Sequence, residues 1–229
     1  MHTTGYGGLG TVTNAGNRCT FGPLLLLIAV MPFETIGYHT CDDTEDIDKM
    51  ERDAPFRSRW KRVTDFKNPP RQPFLSEGFY FWEQDLESAH WWGQTHCNNK
   101  YVVFRYNISI ADGRFLDLIG NVLDKRRLHA MAQTAISGGL SGYSDAKEVP
   151  YGEVLTFVRA LMKERFPYDA VRGTNDGRGQ GGGSINRRPF ASYSNTTMID
   201  NQQFILCLFR FSAQTLYGQT VLYPSSYVI

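Results

Sequence analysis

The sequence predicts a mixed α+β fold in one main domain. Strand-like runs rich in aromatic and β-branched residues recur at 78–82, 101–110, 203–211 and 216–223. Segments with helical apolar spacing lie between them, at about 86–96, 123–136 and 151–166. Strands with helices inserted, followed by a strand-rich C-terminal third, argue against a regular βαβ alternation. The 229 residues are enough for one domain with a full core.

Composition narrows the class. Hydrophobic residues make up 41% of the chain and charged residues 21%, which suits a globular protein rather than a disordered one. Aromatic residues reach 14%, a share that favours flat contacts or a cleft that stacks on planar ligands. A formal net charge of +1 provides no global field to recruit nucleic acid or an anionic membrane. Locally, Arg52, Arg57, Arg59, Lys61, Arg62, Lys67 and Arg71 are interleaved with Phe56, Trp60 and Phe66. That stretch reads either as a solvated loop with anchoring rings or as a surface for single-stranded nucleic acid. Lys125, Arg126 and Arg127 read as a helix surface.

Cys19, Cys41, Cys97 and Cys207 are far apart and form no Cys-x-x-Cys pair, so zinc-finger spacing is absent and reduced thiols are expected. No metal site is expected: His39, Cys41, Asp42 and Asp43 are adjacent on an extended segment, whose side chains alternate between faces. The apolar run 24–31 is far short of the roughly 20 residues that span a bilayer. It reads as a buried strand or short helix rather than a signal segment, since only Arg18 supplies positive charge before it. A cytoplasmic protein is expected, with secretion or delivery as an effector the alternative.

In chain order, residues 1–22 read as a flexible arm and 23–229 as the domain. The segment 23–38 reads as two short extended pieces, the second ending at His39. Residues 42–53 read as a short helix capped by Asp43 or Thr44, with Ile47 and Met50 inward. Asn68 to Pro73 is a proline-rich connector. Gly78-Phe79-Tyr80-Phe81-Trp82 follows as a buried strand, and Asp85 or Gln84 caps a helix from Leu86. Residues 101–110 form a strand, Asp112-Gly113 a turn, and 115–118 resume extended structure. The helix 123–136 ends at Ser137-Gly138-Gly139. The next helix, 151–166, buries Val154, Leu155, Val158, Leu161 and Met162 and stops at Pro167. Gly177 to Gly183 lack the strand-then-helix flanks of a phosphate cradle and read as a lid or a plain linker.

Two phrases carry a resemblance. Tyr38-His39-Thr40 at the end of a strand, then Gly78-Phe79-Tyr80-Phe81-Trp82-Glu83 and a helix containing Ala89, resemble the His-Tyr branch of the ADP-ribosyltransferase superfamily, the poly-ADP-ribose-polymerase-like and bacterial-toxin-like catalytic domains. Leu116-Asp117-Leu118 and Asp169-Ala170-Val171-Arg172 are similar to further phrases of the toxin-like group. Thr40 departs from the pattern, which has Gly there. The resemblance covers about residues 34–224. It implies one catalytic domain of two packed, mostly antiparallel sheets with flanking helices.

It also implies chemistry. The expected activity is mono-ADP-ribosyl transfer from NAD to a macromolecule (protein, RNA or DNA) by a toxin or effector, which could have a neutralising antitoxin or immunity partner. By resemblance, His39 binds a ribose hydroxyl, the Thr40 backbone holds the nicotinamide carboxamide, and Tyr80 stacks on the nicotinamide ring. The third catalytic position, usually Glu at the start of a late strand, falls on Gln203, with Gln202 the second candidate. An amide hydrogen-bonds a ribose but is no general base, so Glu83 or Asp200 is the carboxylate that would compensate. Arg172 is the candidate for the dinucleotide pyrophosphate, or else an ion-pair partner of Asp169 or Asp176. Two alternatives stand: an NAD glycohydrolase, or a catalytically degenerate module that binds a nucleotide or a partner.

Overall fold

The computed structural model describes residues 31–60, 73–140, 142–175, 187–189, 197–199 and 202–228. In chain order the elements are β1 (Phe33–Asp42), α1 (Ile47–Asp53), β2 (Arg57–Ser58), β3 (Gly78–Glu83), α2 (Leu86–His96), β4 (Tyr101–Ile110), β5 (Phe115–Asp117), α3 (Val122–Ser137), α4 (Tyr151–Met162), β6 (Ala170–Asn175), β7 (Arg187–Pro189), β8 (Thr197–Ile199), β9 (Gln203–Leu208) and β10 (Leu216–Tyr223). The mixed α/β class is therefore observed. The 1–22 arm, the 24–30 run, the basic residues 61–71, Asp200 and the 177–183 glycines lie outside the described residues.

Seven strands follow one path, β10-β4-β1-β3-β9-β6-β5, and β2 pairs with β3 beside it. Only β5 and β6 are parallel. The path is joined very unevenly at its middle. β1 and β4 share ten consecutive residue pairs, from Phe33↔Ile110 to Asp42↔Tyr101. β1 and β3 share two, Gly37↔Glu83 and Tyr38↔Trp82. Beyond Tyr38 the two strands separate, and β2 takes over the β3 edge at Phe79 and Gly78.

A sheet joined so narrowly can fold over on itself. Phe33 of β1 stacks on Phe115 of β5 with ring centroids 4.3 Å apart, although three strands lie between them in the path. Phe81 of β3 meets Tyr106 of β4 edge-on at 5.5 Å. Between the two halves lies one apolar cluster, in which Phe104, Tyr106 and Ile108 meet Leu206, Leu208 and Ala170. Where two packed sheets were expected, the described strands form one eight-stranded sheet folded over this cluster, with β7 and β8 paired apart from it. The outer face packs a second cluster, Trp82, Tyr101, Val103, Val171 and Cys207, against Ala89 of α2, Leu128 and Ala132 of α3, and Val154 and Leu155 of α4. Each large side chain buried this way contributes about 1.5–3 kcal/mol.

Local chemistry sets the boundaries. Asp85 caps α2 by accepting from Ser88 N–H at 2.9 Å, and Asn121 caps α3 by accepting from Leu123 N–H at 2.9 Å. α1 starts later than expected, with Asp46 as its cap. Asp43 is instead engaged by Glu45 N–H at 2.8 Å, and Glu45 has a φ of 66°. β1 does not stop at His39 but runs on to Asp42, carried by its ladder with β4. α4 ends at Met162 rather than at Phe166, because Lys163 turns the chain at φ 51°; Leu161 faces outward, 65% exposed.

Candidate active site

The site follows from the place where β1 leaves β3. Peptide groups along a strand point alternately to its two edges. The Ile36 carbonyl accepts from Gln84 N–H on the β3 side at 3.0 Å, and Asp43 N–H donates to Lys100 on the β4 side at 3.1 Å. Thr40, four residues after Ile36, therefore turns its own N–H and C=O toward β3, at a point where β3 is no longer alongside. By the same alternation Tyr80 presents its peptide to β1. Its carbonyl takes a substitute partner, as His39 Nδ1 lies 2.9 Å from it.

His39 is thus the bridge across the split. Phe56 N–H donates to its Nε2 at 3.0 Å, which places the imidazole proton on Nδ1 and makes Nδ1–H the donor to Tyr80. The ring is 5% exposed. Burial lowers its pKa to about 4, against the smaller opposing effect of the bond to Tyr80, so it is neutral at ordinary pH. Tyr80 is fixed at its far end. Its hydroxyl accepts from Leu75 N–H and donates to the Ser76 carbonyl, both at 2.7 Å. Burial raises the phenol far above its ordinary range, so it acts only as a neutral group.

His39, Thr40 and Tyr80 line one cavity of about 510 Å³, with Phe56, Trp82 and Ile205. At position 40 a threonine stands where the resembled pattern has glycine. Its hydroxyl donates to the Ala89 carbonyl on α2 at 2.9 Å, which turns it toward the helix. A second cavity of about 840 Å³ adjoins the first and shares Phe74, Trp92, His96 and Ile205 with it. Gln202 lines this larger cavity. Gln203 opens β9 opposite Asn175, on the same sheet face as Ile205.

Glu83 and Arg172 are placed elsewhere. Glu83 ends β3 and is 5% exposed, so it is neither a surface residue nor the start of a helix. Its Oε2 accepts from Arg172 Nε at 2.6 Å, and Arg172 also lies 3.7 Å from Asp117. By strand alternation both belong to the inner face with Phe81 and Leu206, behind the wall formed by Tyr80 and Trp82. The Arg172 guanidinium sits 4.7 Å over the Phe204 ring. Its expected alternative partner Asp169 pairs instead with Arg114 at 2.7 Å and with Arg210. Neither Glu83 nor Arg172 lines either cavity.

Sequence reasoning missed Phe56 and the pair Trp92 and His96. The latter stack with centroids 3.8 Å apart and planes 10° from parallel. Their i, i+4 spacing on a helix was the available signal; Phe56 is brought in by the turn before β2 and had none.

Among the described residues Cys41, Cys97 and Cys207 form no disulfide. Cys207 is buried, and burial pushes its pKa up to about 12, so it serves packing rather than nucleophilic chemistry. Among the described residues no group of three His, Cys, Asp or Glu could hold a metal ion, and no helix is long and apolar enough to cross a membrane. Compared with protein-family models, curated proteins and solved structures, the chain matches none of them.

Proposed function

We propose that the protein is an NAD-dependent mono-ADP-ribosyltransferase whose nicotinamide site is the split between β1 and β3. The observation that carries this reading is the unladdered peptide of Thr40 facing a cavity walled by Tyr80. A primary carboxamide needs one donor and one acceptor side by side, and a strand residue that has lost its neighbour offers that pair. The Tyr80 ring, anchored through its hydroxyl, gives nicotinamide a flat wall. His39 then meets the adjacent ribose: its Nε2 lone pair exchanges the Phe56 N–H for a ribose hydroxyl, with the Nδ1–H bond to Tyr80 holding the ring in place.

Transfer breaks the bond between C1′ of the ribose and the nicotinamide nitrogen, through a sugar with oxocarbenium character. Holding the two leaving fragments in fixed positions lowers that barrier through orientation. An amide at the third position, Gln203 or Gln202, hydrogen-bonds the ribose but takes no proton from the acceptor, so the acceptor must be intrinsically nucleophilic; of the two, Gln202 lines a cavity. A second reading, NAD binding without turnover, draws on the fact that both His39 nitrogens already have backbone partners.

Nicotinamide release from NAD by the purified protein, with and without cell lysate, separates the readings. Transferase activity predicts release that lysate accelerates, with label from radiolabelled NAD passing into macromolecules. Release at one rate in both conditions marks a glycohydrolase. Binding without release marks the degenerate module, and absence of binding ends the NAD reading.

A further inference from the structure

We infer that the larger cavity seats a nucleobase of single-stranded nucleic acid, and that this base is the acceptor. The inference rests on the NAD reading above for the transfer step but not for the seat itself. The cavity adjoins the nicotinamide site through Trp92, His96 and Ile205, so a group held in it lies next to the ribose. Its walls are rings at several angles: the stacked Trp92 and His96, with Trp91, Phe74 and Tyr151 around them. The last three are 40%, 55% and 58% exposed, an unusual amount of bare aromatic surface to concentrate on one cavity.

Its polar groups narrow the occupant. Among the described residues the lining carries no Asp or Glu, and its one formal charge is that of Lys125. Thr174 and the Gln202 amide add neutral donors and acceptors. A planar, uncharged, hydrogen-bonding ring attached to an anionic backbone fits such walls. The rings stack on either face of a base, Gln202 reads its edge, and Lys125 meets a phosphate, with exposed Arg126 next along α3.

The transfer balances without a further reactant. A pyridine-type ring nitrogen of the base, which carries a lone pair and no proton, forms a bond to C1′, the C1′–nicotinamide bond breaks with its electron pair returning to the pyridinium ring, and the positive charge passes to the modified base. Such a nitrogen attacks without a carboxylate to deprotonate it first, which fits an amide at the third position.

The test is tryptophan fluorescence of the full chain titrated with DNA and RNA homo-oligonucleotides in the absence of NAD, run beside nicotinamide release. The expected result is saturable quenching that weakens as salt rises, with Trp91→Ala and Tyr151→Ala each binding about tenfold more weakly. No quenching by any oligonucleotide overturns the inference. Quenching by AMP but not by oligonucleotides also overturns it, since the cavity would then belong to the dinucleotide. Label passing from NAD into protein alone overturns the acceptor assignment. Oligonucleotide binding with no nicotinamide release leaves the base seat standing and sinks the NAD reading; nicotinamide release with no oligonucleotide binding does the reverse.

Discussion

The imidazole of His39 stands between two backbone groups, so its protonation is tied to the integrity of the split. Its folded pKa of about 4 lies below the ordinary 6.5, because burial disfavours the cation. Between those values the unfolded chain binds more protons than the folded one. Stability from this group is therefore complete above about pH 6.5 and is lost as pH falls toward 4, amounting to about 3 kcal/mol. Denaturant midpoints measured from pH 7 to 4 should show this slope. His39→Asn, which keeps an N–H donor for the Tyr80 carbonyl, should flatten it. Strand register and burial decided these roles. The phrases around His39 and Tyr80 were legible as a possible pair, but nothing in the sequence indicated that Phe56 N–H would take the second nitrogen.

At the scale of elements, helices and strands with a clear period were readable nearly to the residue. The strand 101–110 and the start of α2 at Leu86 are where the pattern puts them, because capping and ladder pairing agree with local preference. Elements set by tertiary contact were not. β1 outruns His39 because β4 supplies a partner for every residue to Asp42. Glu83 is pulled inside because Arg172 meets it there. That ion pair ties β3 to β6, with Asp117 of β5 nearby. Arg172→Met should cost about 3–5 kcal/mol by leaving the buried Glu83 carboxylate unpaired, and adding Glu83→Gln should recover part of it. Thermal melts of the two singles and the double measure the coupling; additive losses would contradict the pairing. Gly93 sits where α2 crosses Tyr101, and a Cβ there would overlap the tyrosine ring. Gly93→Ala should destabilise by about 1–3 kcal/mol and displace the neighbouring Trp92 and His96, seen as a shift in tryptophan emission.

For the whole molecule, the defining feature is a sheet joined through two residue pairs at its centre and folded over a shared apolar layer. The class of fold was legible, since strand and helix patterns survive in short windows. That one sheet supplies both layers was not, because pairing between distant strands leaves no local mark. The narrow junction also leaves the Thr40 edge of β1 without β3 alongside, and that edge is the one proposed above to meet nicotinamide. Backbone NMR of the labelled protein titrated with nicotinamide tests this most directly. Saturable shifts are expected at the Thr40 amide and at the peptide between Phe79 and Tyr80, with residues around Glu83 and Arg172 unmoved. Saturable binding that leaves Thr40 and Tyr80 in place, or no binding at all by a folded protein, would contradict it.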